Sequence, residues 1–235
     1  SLGLFALKSA LDGGLWETQL TVEMFEPREG LMQLFEQESL DLDPPAWVPA
    51  SAVSYSQMSF DFGGAYTLLK ELVDEQFPEA TRYFGLIDMQ IFGFAQASME
   101  EVLASLGTQH KMATFAGPAT DSEDVANKNP EAVVIVWQLE DEEIWKNIFK
   151  AASPLVKSLP GGEVSDEQGY NGFRFSNNDS DAGVFLGNGT LVLVVGPDVV
   201  ETVLSALNDP PEGSNSYRED TIYQNALELL PSTTG

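Results

Sequence analysis

Residues 183–208 constrain the fold most. Gly183-Val184-Phe185-Leu186 runs into Gly187-Asn188-Gly189, then an apolar, β-branched run from Thr190 to Val195, then Gly196-Pro197-Asp198. The Gly-Asn-Gly triplet tolerates positive φ, as a tight hairpin turn requires. A near-continuous apolar run suits a strand covered on both faces. Pro197 cannot donate to a sheet ladder but fits the first turn of a helix. Val199, Val200, Val203, Leu204 and Leu207 then recur at helical spacing, and Asn208-Asp209-Pro210-Pro211 stops the helix. The stretch therefore reads strand, turn, strand, proline, amphipathic helix, with the helix stripe packed back on the hairpin.

The same order stands at the N-terminus. Leu4 to Leu11 reads as a strand, Asp12-Gly13-Gly14 as a turn, and Leu15 to Phe25 as a strand with alternating apolar members. Pro27 follows, then a helix carrying Leu31, Met32, Leu34 and Phe35. A second element also recurs. Prolines 44, 45 and 49 lead into a strand over 52–62 and a helix from Gly63-Gly64 to about Gln76, with Leu68, Leu69, Leu72 and Val73 expected inside. Pro130 leads into Ala132 to Leu139 and a helix with Ile144, Trp145, Ile148 and Phe149. These echoes predict an α+β fold: antiparallel sheets with helices packed on one face, in two related units, 1–118 and 119–235. The first unit is expected to start mid-unit, in a chain that is a processed piece of something longer.

Between the echoes, Tyr83 to Phe94 is apolar, and buried core is the simpler reading, with a lipid-type pocket as the sharper one. Ser98 and Glu101 have capping-box spacing, and Gly107 stands where a helix C-terminus wants glycine. Thr108 to Ala116 and Val164 to Phe175 read as strands, 119–129 as a polar loop, and Tyr217 to Leu230 as a helix. Trp47, Trp137 and Trp145 are expected in the core, as is Trp16.

Eleven basic residues stand against thirty-seven acidic, a net charge of −26. That charge argues against nucleic acid and anionic membrane surfaces as partners. No apolar run approaches the ~20 residues of a membrane-spanning helix. With no cysteine, disulfides and thiol catalysis are excluded. The single histidine, His110, must serve any Ser-His-Asp triad or histidine-based zinc site; an exposed histidine at a strand end is the simpler reading. Asp141, Glu142 and Glu143 fit a solvated first helical turn better than an acid/base pair. The glycine pairs lack phosphate-loop context. One metal candidate remains: Asn177, Asp179 and Asp181 have the alternate oxygen spacing of calcium loops. The following glycine comes one place late, and Asn188 stands where an EF-hand puts glutamate. A polar hairpin connection is the plainer reading. No cofactor is expected beyond that calcium candidate.

Taken in order, Pro130 to Leu139, the acidic helix start, Tyr170-Asn171-Gly172-Phe173, Ala182-Gly183-Val184-Phe185, Gly189 to Leu193 and Asp220 to Pro231 make the chain resemble a bacterial family of unknown function. The family occurs in large secreted or envelope-associated proteins, notably of planctomycetes, and the resemblance covers most of the chain. It implies a place outside the cytoplasm and brings no catalytic residues with it. The expectation is a non-enzymatic extracytoplasmic structural or interaction module with a protein or envelope partner. A binding protein for a small apolar ligand or glycan is the first alternative, and a hydrolase built only from carboxylates the second.

Overall fold

The computed structural model describes residues 2–12, 15–24, 44–115, 132–176, 181–196, 199–213, 216–219 and 224. β1 (Leu2–Asp12) and β2 (Leu15–Met24) pair antiparallel as a two-stranded sheet. Then come β3 (Ala52–Ser59), α1 (Phe62–Gln76), α2 (Thr81–Ala95), α3 (Met99–Ala104), β4 (Gln109–Phe115) and β5 (Ala132–Gln138). α4 (Glu142–Val156), β6 (Gly162–Glu167), β7 (Tyr170–Ser176), β8 (Asp181–Gly187), β9 (Thr190–Val195) and α5 (Val200–Asn208) complete the order. Strands β3 to β9 form one antiparallel sheet in the order β3-β4-β5-β9-β8-β7-β6. The fold is α+β, as the residue pattern predicts.

The hairpin at 187–190 forms as its residues dictate. Asn188 and Gly189 take φ of 52° and 70°, the double left-handed turn whose twist matches flanking strands. β9 then lies between β8 and β5. Its even members, Val192 and Val194, are fully buried against Val134, Phe185, Val200, Val203 and Leu204. Its odd member Leu191 faces the other way, onto Phe149, Phe173 and Leu186. This is why the run from Thr190 to Val195 is apolar at nearly every position: both faces are covered.

That arrangement corrects the expectation of helices on one face. α5 lies on one face with Trp47 and Val48, and α4 on the opposite face. α2 and α3 pack beside α4 through Ala95, Ala97, Val102, Ile144 and Ile148. α4 covers mainly the β6–β9 half of its face. On the β3–β4 part of that face Met58 and Met112 remain 54% and 37% exposed, and Val195 at the end of β9 is 47% exposed.

The duplicated pair of units is not what the structure shows. β9 sits inside a seven-stranded sheet, whereas β2 pairs with β1 alone among the described residues. The helix expected over 27–36 lies outside the described residues, as does most of the helix expected over 217–230. The sheet also runs across the expected boundary at 118/119, since β4 and β5 are neighbours over six residue pairs. Early and late chain meet on the α5 side as well. Tyr217 N donates to the Val48 carbonyl at 3.0 Å, and Arg218 donates to the Pro44 carbonyl at 2.9 Å. The single strand expected over 164–175 is a hairpin. Gln168 and Gly169 adopt φ of 54° and 84° and turn the chain between β6 and β7.

Two glycines shape the α5 face. Gly172 is opposite Phe185 in the register, and Gly183 is two residues before it on the same face. The Phe185 ring, fully buried, lies over both, and an added Cβ at either would run into the ring. Gly172→Ala should therefore destabilise the chain by about 1–3 kcal/mol through overpacking. Leu204→Ala, at a site with no exposed surface, should cost about 2–5 kcal/mol through the cavity it leaves. Urea denaturation monitored by circular dichroism measures both. A cost under about 0.5 kcal/mol at both sites, the range of an ordinary surface substitution, would contradict this core.

Candidate functional site

The helical layer beyond α4 carries a line of partly exposed polar contacts between its helices. Phe60 and Phe62 bracket the end of β3, their rings 4.9 Å apart edge to face. Asp61 then caps α1, accepting from Gly64 N at 2.8 Å. Gly63 is buried so closely against Ala104 that a Cβ there would clash, which fixes where α1 crosses α3. From that crossing a polar seam runs between the helices. Lys70 Nζ lies 3.7 Å from both Asp88 and Glu100 and 5.5 Å from the centre of the Tyr66 ring. Asp88 accepts from Met99 N at 3.1 Å, at the start of α3. Burial, and then the Asp88 carboxylate, push the Tyr66 phenol pKa up. Ser98 and Glu101 close both halves of the expected capping box, and the bonds to Ser98 hold the Glu101 carboxyl below its ordinary pKa.

The apolar side chains of these helices point the other way. On α2, Tyr83, Leu86, Ile87, Met89, Phe92 and Phe94 are 40–71% exposed. Leu69, Leu72 and Phe77 on and after α1 are 44–63% exposed. At ~200 Å² per large side chain, the six α2 residues present roughly 600 Å² to solvent, spread over more than half of the helix circumference, and the three on and after α1 add roughly 300 Å². The expectation that 83–94, Leu69 and Leu72 are core is thus corrected. The inner places on α2 are taken by Phe84, Asp88 and Ala95, which leaves the apolar majority outside.

The carboxylates at the start of α4 are engaged locally. Asp141 caps α4 by accepting from Glu143 N at 2.9 Å. Glu142 and Glu143 hold Lys146 at 3.6 and 2.7 Å, and the hydrogen bond to Glu143 raises the ammonium pKa. A hollow of ≈ 530 Å³ is rimmed by Glu101, Glu140 and Asp141, two of which are the caps just described. A cleft of ≈ 340 Å³ opens between α4 and the β7–β8 strands, with Lys146, Lys150, Phe149, Phe173 and Asn188 around it. Its floor is Phe149 stacked on Phe173 at 4.6 Å. The volume is at the small end of ligand pockets, which run from ~300 Å³.

Of the calcium candidates, Asn177 and Asp179 lie outside the described residues. Asp181 is the first residue of β8 and pairs with Ser176 across the hairpin. Among the described residues no cluster of three metal-ligating side chains occurs. Trp47 is buried, and Trp137 and Trp145 are half-buried against the α4 core; Trp16 lies where only the strand is described. Trp145 Nε1 donates to Ser105 Oγ at 2.9 Å.

His110 is not the exposed strand-end residue its neighbours Gln109 and Lys111 suggest. It is 5% exposed, packed on Phe62 at 4.8 Å. Its Nε2 donates to the Phe60 carbonyl at 2.8 Å, while Nδ1 is buried without a partner among the described residues. The ring ties β4 to the start of α1, which is a structural task. His110→Ala should cost about 2–4 kcal/mol, from the lost bond and the cavity, in the same denaturation assay. An unchanged midpoint would release His110 from that role. Comparison of this chain with family models, with curated proteins and with solved structures gives no match.

Proposed function

We propose that this chain is a non-enzymatic interaction module that works outside the cytoplasm. The observation that carries the reading is the outward apolar face of α1 and α2. Six large apolar side chains exposed on one 15-residue helix, in a chain of net charge −26, exceed the single scattered apolar residues that a solvated surface carries without a contact to make. The polar seam beneath supports the same reading: the helices are held by ion pairs and caps, and their apolar side is left for another body. The extracytoplasmic placement rests on the resemblance to secreted and envelope-associated proteins, and the absence of cysteine is compatible with it. The partner is a protein or an envelope component.

The cleft beside α4 favours a second reading, a binder of a small apolar ligand or glycan on the stacked Phe149 and Phe173. The two readings separate in a thermal-shift screen. Calcium, short glycans and fatty acids should leave the melting temperature unchanged, while a solvatochromic dye should bind the native chain. Replacing Leu86 and Phe92 by Ser should abolish most dye binding at unchanged stability. Saturable stabilisation by a glycan or fatty acid, lost in Phe149→Ala, would establish the second reading. Stabilisation by calcium would return Asn177, Asp179 and Asp181 to the argument.

A further inference from the structure

We infer that Asn188 is a site of spontaneous deamidation in the folded chain, and that the Asn208 carboxamide sets its pace. Asparagine is among the thermolabile residues. Its side chain is lost when the next backbone nitrogen reaches Cγ, and a following glycine, with no Cβ, hinders that approach least. The chain has two such steps, Asn171-Gly172 and Asn188-Gly189. Both asparagines are exposed, so backbone freedom rather than access separates them. Asn171-Gly172 lies inside β7, with Asp166 and Ser165 of β6 on one side and Leu186 and Phe185 of β8 on the other. Ladders on both edges hold the peptide between them extended, and Gly172 is buried under the Phe185 ring. Its nitrogen cannot swing toward Asn171 Cγ. Asn188-Gly189 is the whole of the turn between β8 and β9. The Gly189 carbonyl is held, accepting from Leu139 N at 2.8 Å and Gln138 Nε2 at 3.0 Å, but the Gly189 nitrogen belongs to neither strand.

A line of carboxamides restrains the site. Asn188 Nδ2 donates to Asn208 Oδ1 at 2.9 Å, and Asn208 Nδ2 donates to the Gln168 carbonyl at 2.7 Å. Asn208 ends α5, and Gln168 sits in the β6–β7 turn with φ of 54°. While the bond to Asn208 holds, the leaving amide is fixed; when it opens, Asn188 Cγ can turn to Gly189 N. The bond from Gly189 N to Cγ then forms and the Cγ–Nδ2 bond breaks. Nδ2 leaves as ammonia, carrying the proton given up by Gly189 N. Water opens the cyclic imide at either carbonyl and leaves aspartate or isoaspartate. Either product carries a carboxylate where an N–H donated. That carboxylate meets Asn208 Oδ1, another acceptor, and Asn208 cannot reverse its amide without giving up the Gln168 carbonyl. Isoaspartate also adds a backbone carbon to a turn that has no residue to spare. The outcome is a slow chemical clock on the hairpin that joins β8 to β9, loosening its tie to α5.

Peptide mapping by mass spectrometry, on chain aged in mildly alkaline buffer, tests the site. In the chain unfolded by urea, residues 171 and 188 should both convert to the acid. In the folded chain 188 should convert and 171 should not. Asn208→Ala should speed conversion at 188 several-fold and leave 171 unchanged. Residue 171 thereby reports whether that variant has stayed folded. Asn188→Asp, the mimic of one product, should lower the urea midpoint of the chain. Equal protection of 188 and 171 in the folded wild type overturns the site. A rate at 188 that Asn208→Ala leaves unchanged, or raises only together with 171, overturns the pacing by Asn208. An unchanged midpoint in Asn188→Asp overturns the loosening.

Discussion

The pairing of β5 with β9 is the constraint on which the rest depends. It joins β3 and β4 from the first half of the chain to the β6–β9 meander of the second, through six register pairs from Val133↔Val195 to Gln138↔Thr190. Val134, Val136, Val192 and Val194 on one side are nearly or fully buried, and Trp137 and Leu191 meet α4 on the other. Each fully buried Val or Leu contributes about 1.5–3 kcal/mol relative to exposure. The backbone ladder between these strands lies where water cannot replace it, so its hydrogen bonds must be made internally. Helices on both faces follow from this: two apolar faces require two covers.

The helical layer obeys a different rule. α4 is a conventional amphipathic cover, stacked through Phe149 on Phe173. α1 and α2 add close approach and polar contacts to a small apolar packing: Gly63 against Ala104, Lys70 among Asp88 and Glu100, the cap of Ser98 and Glu101, and Ile91 and Ala95 beside α4. Partly exposed ion pairs of this kind are each worth about 0–1 kcal/mol, far less than burying a leucine. The chain therefore uses only a minority of the apolar content of α2 for its own packing, Ile91 and Ala95 beside α4 and Phe84 edge to face with Tyr66. Its placement is set by the seam, and the apolar surface is left over.

Local signals in the sequence were legible because neighbouring residues write them. Gly187-Asn188-Gly189 specified its turn through positive φ, Ser98 and Glu101 their capping box, and Asp141 the start of α4. The antiparallel α+β class followed from those elements. What tertiary contacts decide was not legible. Helical spacing shows that residues 83–94 form a helix but not which arc faces inward, and Phe84, Asp88 and Ala95 win that place through partners on α1, α3 and α4. His110 looks exposed between Gln109 and Lys111, and the Phe60 carbonyl and the Phe62 ring, about fifty residues earlier, hold it inside. The echo between the two hairpins is real as a pattern of turn, strand and proline. Yet β9 finds an interior place and β2 pairs with β1 alone among the described residues, because strand order is set by long-range pairing. The outward α2 face did leave a trace: a helix apolar almost all round with a single ion-paired acid is suited to burial, and nothing local says by what.

The acidic surface and the apolar face act on the same problem from opposite sides. An exposed apolar face on a neutral protein invites open-ended aggregation. On this chain the net charge of −26 opposes close approach of two copies, with a range set by the ~8 Å Debye length at physiological salt. The excess of carboxylates thus weighs against crowding many copies together, and α2, with Asp88 as its single acid, is the part of the helical layer least subject to that repulsion.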